Sequence, residues 1–133
     1  MPFVASQDAS NARLIRVPVT GLDGRAELER VPLIASSSMR LILLEMPPGF
    51  ATIPHRHPGA GEYFFILTGS GTFTIGDSGP LAVVPGDLLF ATVDEAHAIE
   101  AGPSGLRFLA GVGPNEDRPD EAIDVTADVP AAR

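Results

Sequence analysis

Short runs of apolar and β-branched residues, separated by glycine and proline, recur along the whole chain. Within residues 71–75, Thr72 and Thr74 alternate with Phe73 and Ile75, which is the two-residue period of a strand with one buried face. No window of comparable length has the 3.6-residue apolar period of an amphipathic helix. The pattern therefore predicts an all-β fold.

Ten short strands are expected from these runs. They are residues 14–19, 26–31, 39–46, 51–57, 62–68, 71–75, 81–84, 88–91, 97–101 and 106–112. The glycine-containing segments 69–71 and 76–79 have the turn chemistry of hairpins. About ten short strands suit a sandwich or a barrel. The one helix expected is a turn or two around 120–124, with Pro119 at a first helical position.

Composition and charge narrow the classes of function. The chain has 133 residues, the size of one domain, and contains no cysteine and no lysine. Disulfides, thiolate nucleophiles and Schiff-base lysines are thereby excluded. A formal net charge of −8 opposes binding to nucleic acid or anionic lipid, and the apolar runs are too short to span a membrane. We expect a cytoplasmic protein whose partners are small molecules or proteins.

The composition changes after Pro114. Residues 116–133 hold six of the seventeen acidic residues and only two arginines. We interpret residues 1–113 as a single barrel domain, with its motif-bearing core at 39–112, and residues 114–133 as an acidic C-terminal tail. The tail is either solvated or packed along a partner subunit.

The candidate chemistry is concentrated around two histidines. Because residues two apart share one face of a strand, the imidazoles of His55 and His57 project together, whereas Arg56 points away. After a predicted reversal, Glu62 opens the next strand and can return a carboxylate to this pair. His97, the third histidine of the chain, follows later and can reach the same point across a barrel.

This spacing resembles that of the cupin superfamily. The positions that fit its first motif are Gly49, His55, His57, Glu62 and Gly69. Pro85-Gly86-Asp87 followed by His97 resembles the second motif, although Ala101 stands where the family often has asparagine. The resemblance covers residues 39–112. It implies a double-stranded β-helix, or jelly-roll β-barrel, usually dimeric, with a divalent metal held by the three histidines and Glu62.

Three imidazoles and one carboxylate suit Fe, Mn, Ni, Co or Zn, and one divalent ion per chain is expected. Two adjacent octahedral positions would then accept a small bidentate acid, enol or phenol, or one substrate oxygen and dioxygen. Glu62 is the candidate base. Arg40 and Arg107 are candidate anchors for an acidic ligand, and Phe64 and Ile66 are expected to line the substrate cavity.

Three classes of function remain open. The first is a metal-dependent enzyme, with a dioxygenase preferred and a non-redox lyase, decarboxylase or isomerase next. The second is a small-ligand-binding or sensory protein without catalysis, and the third is a structural barrel with a vestigial metal. A homodimer is expected because the edges of a barrel built from short strands need cover, and segment 14–19 is the candidate contact.

Overall fold

The computed structural model describes residues 14–17, 19, 27–114 and 123–124. Within these residues the chain forms eight strands and no helix. The strands are β1 Glu29–Ala35, β2 Arg40–Met46, β3 His55–Arg56, β4 Gly61–Ile75, β5 Pro80–Val83, β6 Leu88–Ala91, β7 His97–Gly113 and β8 Ile123–Asp124. The predicted all-β class is confirmed. In the described part of the chain, no helix is long and apolar enough to cross a membrane.

Two long strands, β4 and β7, organise the barrel. They pair antiparallel from Gly61 opposite Gly113 to Ile75 opposite His97. One half of the barrel has the strand order β1-β2-β7-β4-β6, and the other has the order β8-β3-β7-β4-β5. The halves face each other across the interior, where the ring centroids of Phe64 and Phe73 lie 5.0 Å apart.

The hairpin predicted at residues 69–71 is wrong, because β4 continues through this segment with a shift in register. A side chain at Gly69 would collide with the backbone carbonyl of Gly105 on β7. Glycine here permits two strands to approach closely rather than one chain to reverse. Predicted strands 62–68 and 71–75 are therefore one strand, and 97–101 and 106–112 are likewise one.

The predicted helix around 120–124 is also wrong where it can be compared, since Ile123–Asp124 is β8 and pairs with β3. Residues 115–122, with Pro119, lie outside the described residues. Of the predicted strand 51–57, only His55–Arg56 forms a strand, β3. Pro54, just before it, has no amide hydrogen to donate to a neighbouring strand.

The N-terminal elements also differ from the prediction. Strand 26–31 is displaced to β1, which passes Pro32 with a register irregularity before Ile34. Residues 14–17 and 19 belong to no strand. Instead, Ile15 and Val17 pack on an apolar cluster on the outside of the barrel. Apolar burial rather than strand pairing holds this segment.

The main core fills the interior between the two halves. Its largest fully buried side chains are Phe64, Ile66, Phe73, Leu106 and Phe108. At one end the apolar interior gives way to buried polar groups, among them Arg40, Glu62 and His97. Arg40 on β2 and Glu62 on β4 both lie opposite Val112 of β7, so the two share the inner face.

Candidate metal centre

Three imidazoles meet at this polar end of the interior. His55 on β3 lies directly opposite His97 at the start of β7, and their ring centroids are 4.5 Å apart. The ring centroid of His57 lies 5.5 Å from that of His97. One nitrogen of each ring lies within 4.8 Å of the corresponding nitrogen of the other two. The three rings can therefore bind one common ion.

Glu62 brings a carboxylate to the same point. Its Oε1 atom lies 3.0 Å from Nε2 of His57 and 2.9 Å from Nε2 of His97. These are ion-pair distances, but among the described residues neither Glu62 Oε1 nor His97 Nε2 has a partner at a hydrogen-bonding angle. Buried polar atoms without a hydrogen-bonding partner raise the free energy of the folded state unless another group binds them. A divalent transition-metal ion fits this set of three nitrogens and one oxygen.

Backbone carbonyls fix which imidazole nitrogen carries the proton. Nδ1 of His55 lies 2.7 Å from the carbonyl oxygen of Ile53, and Nδ1 of His97 lies 3.1 Å from that of Glu95. A carbonyl oxygen only accepts, so each Nδ1 is the protonated donor. In the neutral rings, Nε2 of His55 and of His97 is then the lone-pair nitrogen, which a metal requires.

Burial and mutual contacts shift the protonation of the site. Burial lowers the pKa of His55 below its usual 6.5, against the opposing hydrogen bond to Ile53. Burial alone would raise the pKa of Glu62, but contacts with His57 and His97 lower it to about 2. At neutral pH the site therefore presents a neutral His55 and an anionic Glu62. So low a pKa also makes Glu62 a weak proton acceptor while the two imidazoles hold it.

A cavity of about 180 Å³ adjoins the imidazoles. Its apolar wall is formed by Leu28, Ile42, Leu44, Met46, Phe64, Ile99, Phe108 and Ala110. The polar lining beyond the four candidate ligands consists of Arg30, Arg40 and Thr52. Pockets for drug-sized ligands span about 300–1,000 Å³, so this cavity suits a small molecule.

The structure separates the four residues predicted to contact substrate. Arg40 and Phe64 line the cavity, and Arg40 is 6% exposed. Ile66 points inward but is buried in the apolar core and does not belong to the cavity lining. Arg107 lies on the outer face of β7, because its neighbours along the strand face inward, and its Nη2 atom is 2.9 Å from Oε1 of Glu45. The two arginines thus have different surroundings.

Two polar lining residues were not anticipated from the sequence. Arg30 lies opposite Leu44 on the inner face of β1, a position that follows only once the β1–β2 register is known. The Thr52 hydroxyl accepts a hydrogen bond from the amide of Ile99 at 2.9 Å. Thr52 lies outside any strand, so no periodic signal marks it.

Comparison with known proteins identifies the family of the chain and two of its relatives. Residues 42–110 match the family model of the cupin domain. The oxalate-binding protein of Thermotoga maritima is 35% identical over 94 residues, covering 65% of this chain and 76% of that protein. Dimethylsulfoniopropionate lyase DddW of Ruegeria pomeroyi is 40% identical over 77 residues, or 58% of this chain, and the match spans 49% of the lyase.

A solved structure supports the same fold. A conserved protein of Klebsiella pneumoniae with a double-stranded β-helix domain superposes with a TM-score of 0.66 at 19% identity. The alignment covers 78% of this chain and 91% of that protein. At this identity the likeness concerns the fold alone.

Proposed function

Because the chain belongs to the cupin family, in the double-stranded β-helix fold, we propose that it is a metal-dependent enzyme acting on a small carboxylic acid. The observation that carries this proposal is the meeting of three imidazoles and one carboxylate beside a small, largely apolar cavity. The proposed ligands are His55, His57, His97 and Glu62, with one divalent ion per chain.

The side chains around this site have separate roles in binding the metal, binding the acid and excluding water. A divalent ion held there would supply a Lewis acid that polarises the bound substrate. The buried guanidinium of Arg40 lies on the same inner face as Glu62 and supplies a positive charge to the cavity wall. A guanidinium binds a carboxylate through two parallel hydrogen bonds. The apolar wall excludes water and limits the size of the acid.

A dioxygenase is the preferred reaction in this proposal, because an ion held by four protein ligands would leave room for both a substrate oxygen and dioxygen. Among the described lining residues Glu62 is the one carboxylate, so an elimination would draw its base from a proposed metal ligand. A lyase is the second candidate, because the relative from Ruegeria pomeroyi is a lyase.

A third candidate is binding without catalysis. The relative from Thermotoga maritima is an oxalate-binding protein, and a cavity poor in bases suits that role equally. The three candidates share the metal ligands and Arg40. They differ in whether product forms and whether dioxygen is consumed.

One experiment separates these candidates. Protein loaded with Fe²⁺, Mn²⁺, Ni²⁺ or Zn²⁺ is incubated with oxalate, dimethylsulfoniopropionate, a 2-oxo acid or a catechol, in air and without oxygen. Metal-dependent oxygen consumption that His57→Ala abolishes would support the dioxygenase. Equal product formation without oxygen would support the lyase, and saturable binding without product would support the binding protein.

We also propose that the protein is a homodimer. Two apolar rows cross the outer face of the half formed by β1, β2, β7, β4 and β6. The first row is Ile34, Leu41, Gly111, Tyr63 and Phe90, and the second is Val31, Leu43, Leu109, Phe65 and Leu88. At the β1–β2 end, Ile15 and Val17 pack on the cluster that includes Leu43. At the other end, which we call the open end, no described segment covers the outer face.

The open end has the size of a subunit contact. Four large side chains of the two rows are exposed there: Phe65 by 37%, Tyr63 by 42%, Phe90 by 61% and Leu88 by 67%. Together with Met39 and Val93 they present roughly 600 Å² of apolar surface, taking about 200 Å² for each large side chain. That is the upper limit for a monomer and most of the ~800 Å² that each partner buries in a stable complex. A second copy of the chain fits this face.

A further inference from the structure

Asp94 contacts three residues that are distant in sequence: Arg56 at the end of β3, and Gly59 and Ala60 in the turn that follows. Its Oδ1 atom accepts hydrogen bonds from the amide of Gly59 and from Nη1 of Arg56, both at 2.9 Å. Its own amide donates to the carbonyl of Ala60 at 3.3 Å. A single residue thus engages the turn through both its side chain and its backbone.

These contacts join the two segments that carry the proposed metal ligands. Gly59 lies in the turn between His57 and Glu62, and Asp94 lies three residues before His97. The hydrogen bonds of Asp94 therefore fix the turn relative to the start of β7. The spacing of the ligands depends on that relationship.

The backbone of Asp94 adds a second observation. Its φ is +64°, and among the described residues no other non-glycine residue has a positive φ. Glycine adopts this conformation without penalty, whereas a side chain makes it unfavourable and aspartate tolerates it better than most. A carboxylate at a position that suits glycine indicates that the side chain has a function of its own.

We propose that Asp94 is a positioning residue that holds the turn between His57 and Glu62 in its metal-binding conformation. This inference rests on the metal site of the proposed function. The hydrogen bond from Gly59 carries most of the effect. The ion pair with Arg56 adds little, because its side chains are 33% and 49% exposed and water screens them.

Three variants separate positioning from stability. Asp94→Ala removes the acceptor and keeps a side chain at positive φ, whereas Asp94→Gly removes the acceptor and relieves the backbone. Asp94→Asn keeps an acceptor oxygen and tolerates the conformation. Co²⁺ affinity is measured by competition with a chromogenic chelator, and the melting temperature of the metal-free protein is measured in parallel. Asp77→Ala, which removes an exposed carboxylate in the β4–β5 turn, is the matched control.

We expect Asp94→Ala and Asp94→Gly to bind Co²⁺ about 10–100-fold more weakly than the wild type, as for other groups that orient metal ligands. Asp94→Asn stays within about threefold, since it loses only an exposed ion pair. Asp94→Gly melts at or above Asp94→Ala and still binds weakly, which a purely structural role would not produce. Asp77→Ala binds as the wild type does.

Wild-type affinity in Asp94→Gly would overturn the proposal for Asp94 alone. A loss of affinity that follows the loss of melting temperature through all three variants would also overturn it, because it would indicate general destabilisation. Failure of the wild type itself to bind Co²⁺ would instead overturn the metal site, and the role of Asp94 with it.

Discussion

Nε2 of His97 lies 2.9 Å from Oε1 of Glu62, and both atoms are buried. Neither has a hydrogen-bonding partner among the described residues, although both are polar. Three features therefore coincide at this contact: an anionic oxygen, an imidazole nitrogen and burial of both atoms away from water. A cation satisfies both atoms at once, and the proposed metal site follows from this pair of residues.

The stability that bound metal adds should depend on pH. Free histidine titrates near ~6.5, and protons compete with the ion for the same imidazoles. The melting temperature of Zn²⁺-loaded protein should exceed that of metal-free protein near pH 8, and the gap should shrink from about pH 6 to pH 5. Scanning fluorimetry of both forms from pH 8 to pH 5 checks this. A gap that stays constant or widens toward acid would mean that these histidines are not the ligands.

The metal-free protein should lose stability in acid in two steps. Because the pKa of His55 is lowered in the folded state, the unfolded chain takes up this proton first, and stability falls as pH drops below about 6.5. Glu62 has a folded pKa of about 2 against an ordinary value of 4.5, so its contribution is present above pH 4.5 and is lost as the pH falls from 4.5 to 2.

The variant Glu62→Gln tests the loss of stability expected between pH 4.5 and pH 2. Wild type and variant should differ in urea unfolding free energy at pH 6 and converge as pH falls toward 2, because protonation removes the charge that the variant lacks. A difference that is the same at pH 6 and pH 3 would show that the charge of Glu62 does not stabilise the metal-free fold.

Arg40→Lys should weaken the binding of a small carboxylate by about tenfold, because an ammonium group cannot form two parallel hydrogen bonds. Metal content should stay at the wild-type level, since Arg40 is not a proposed ligand. Calorimetric titration of the metal-loaded protein with oxalate measures the change. An unchanged dissociation constant would remove Arg40 from the binding site.

Arg107→Met should instead destabilise the fold, by up to about 3–5 kcal/mol, because it removes the guanidinium that lies 2.9 Å from the buried carboxylate of Glu45. The double variant Glu45→Met/Arg107→Met should recover most of this loss, since apolar side chains replace both charges. Urea unfolding at pH 7 provides the measurement. Equal stability of the single variant and the wild type would contradict a structural role for the pair.

Phe90→Asp and Leu88→Asp should each convert the dimer to a monomer, since they place a charge in the apolar contact. Val84→Asp is the matched control, because Val84 is 58% exposed but lies outside the two apolar rows. Light scattering at micromolar concentration gives the mass. A monomeric wild type, or dimers for all three variants, would contradict the proposed contact.

The fold class was predictable because period-two alternation and turn residues recur through the chain. The number of strands was not, since glycine permits either a reversal or a close approach. At Gly69, β4 passes so close to the carbonyl of Gly105 on β7 that no side chain would fit. This contact is remote in sequence and could not be read from the local pattern. The segment from Gly76 does reverse the chain between β4 and β5, as predicted.

The meeting of His55 and His57 followed from local spacing, because side chains two residues apart in an extended segment lie on the same side. The approach of His97 depends on the pairing of β3 with β7. The different places of Arg40 and Arg107 did not follow, since each lies in an apolar run and only the strand register assigns its face. Asp94 was not singled out either. Its positive φ and its bond to Gly59 exist only in the folded chain.

The central claim is that His55, His57, His97 and Glu62 bind one divalent ion. Metal analysis of Co²⁺-loaded protein after gel filtration tests it most directly, with His57→Ala, Glu62→Ala and Glu100→Ala compared under the same conditions. Glu100 is the matched control because its carboxylate is exposed on β7. We predict one ion per chain in the wild type and in Glu100→Ala, and at least a hundredfold loss of affinity in the other two variants. A full ion per chain in both His57→Ala and Glu62→Ala would contradict the account.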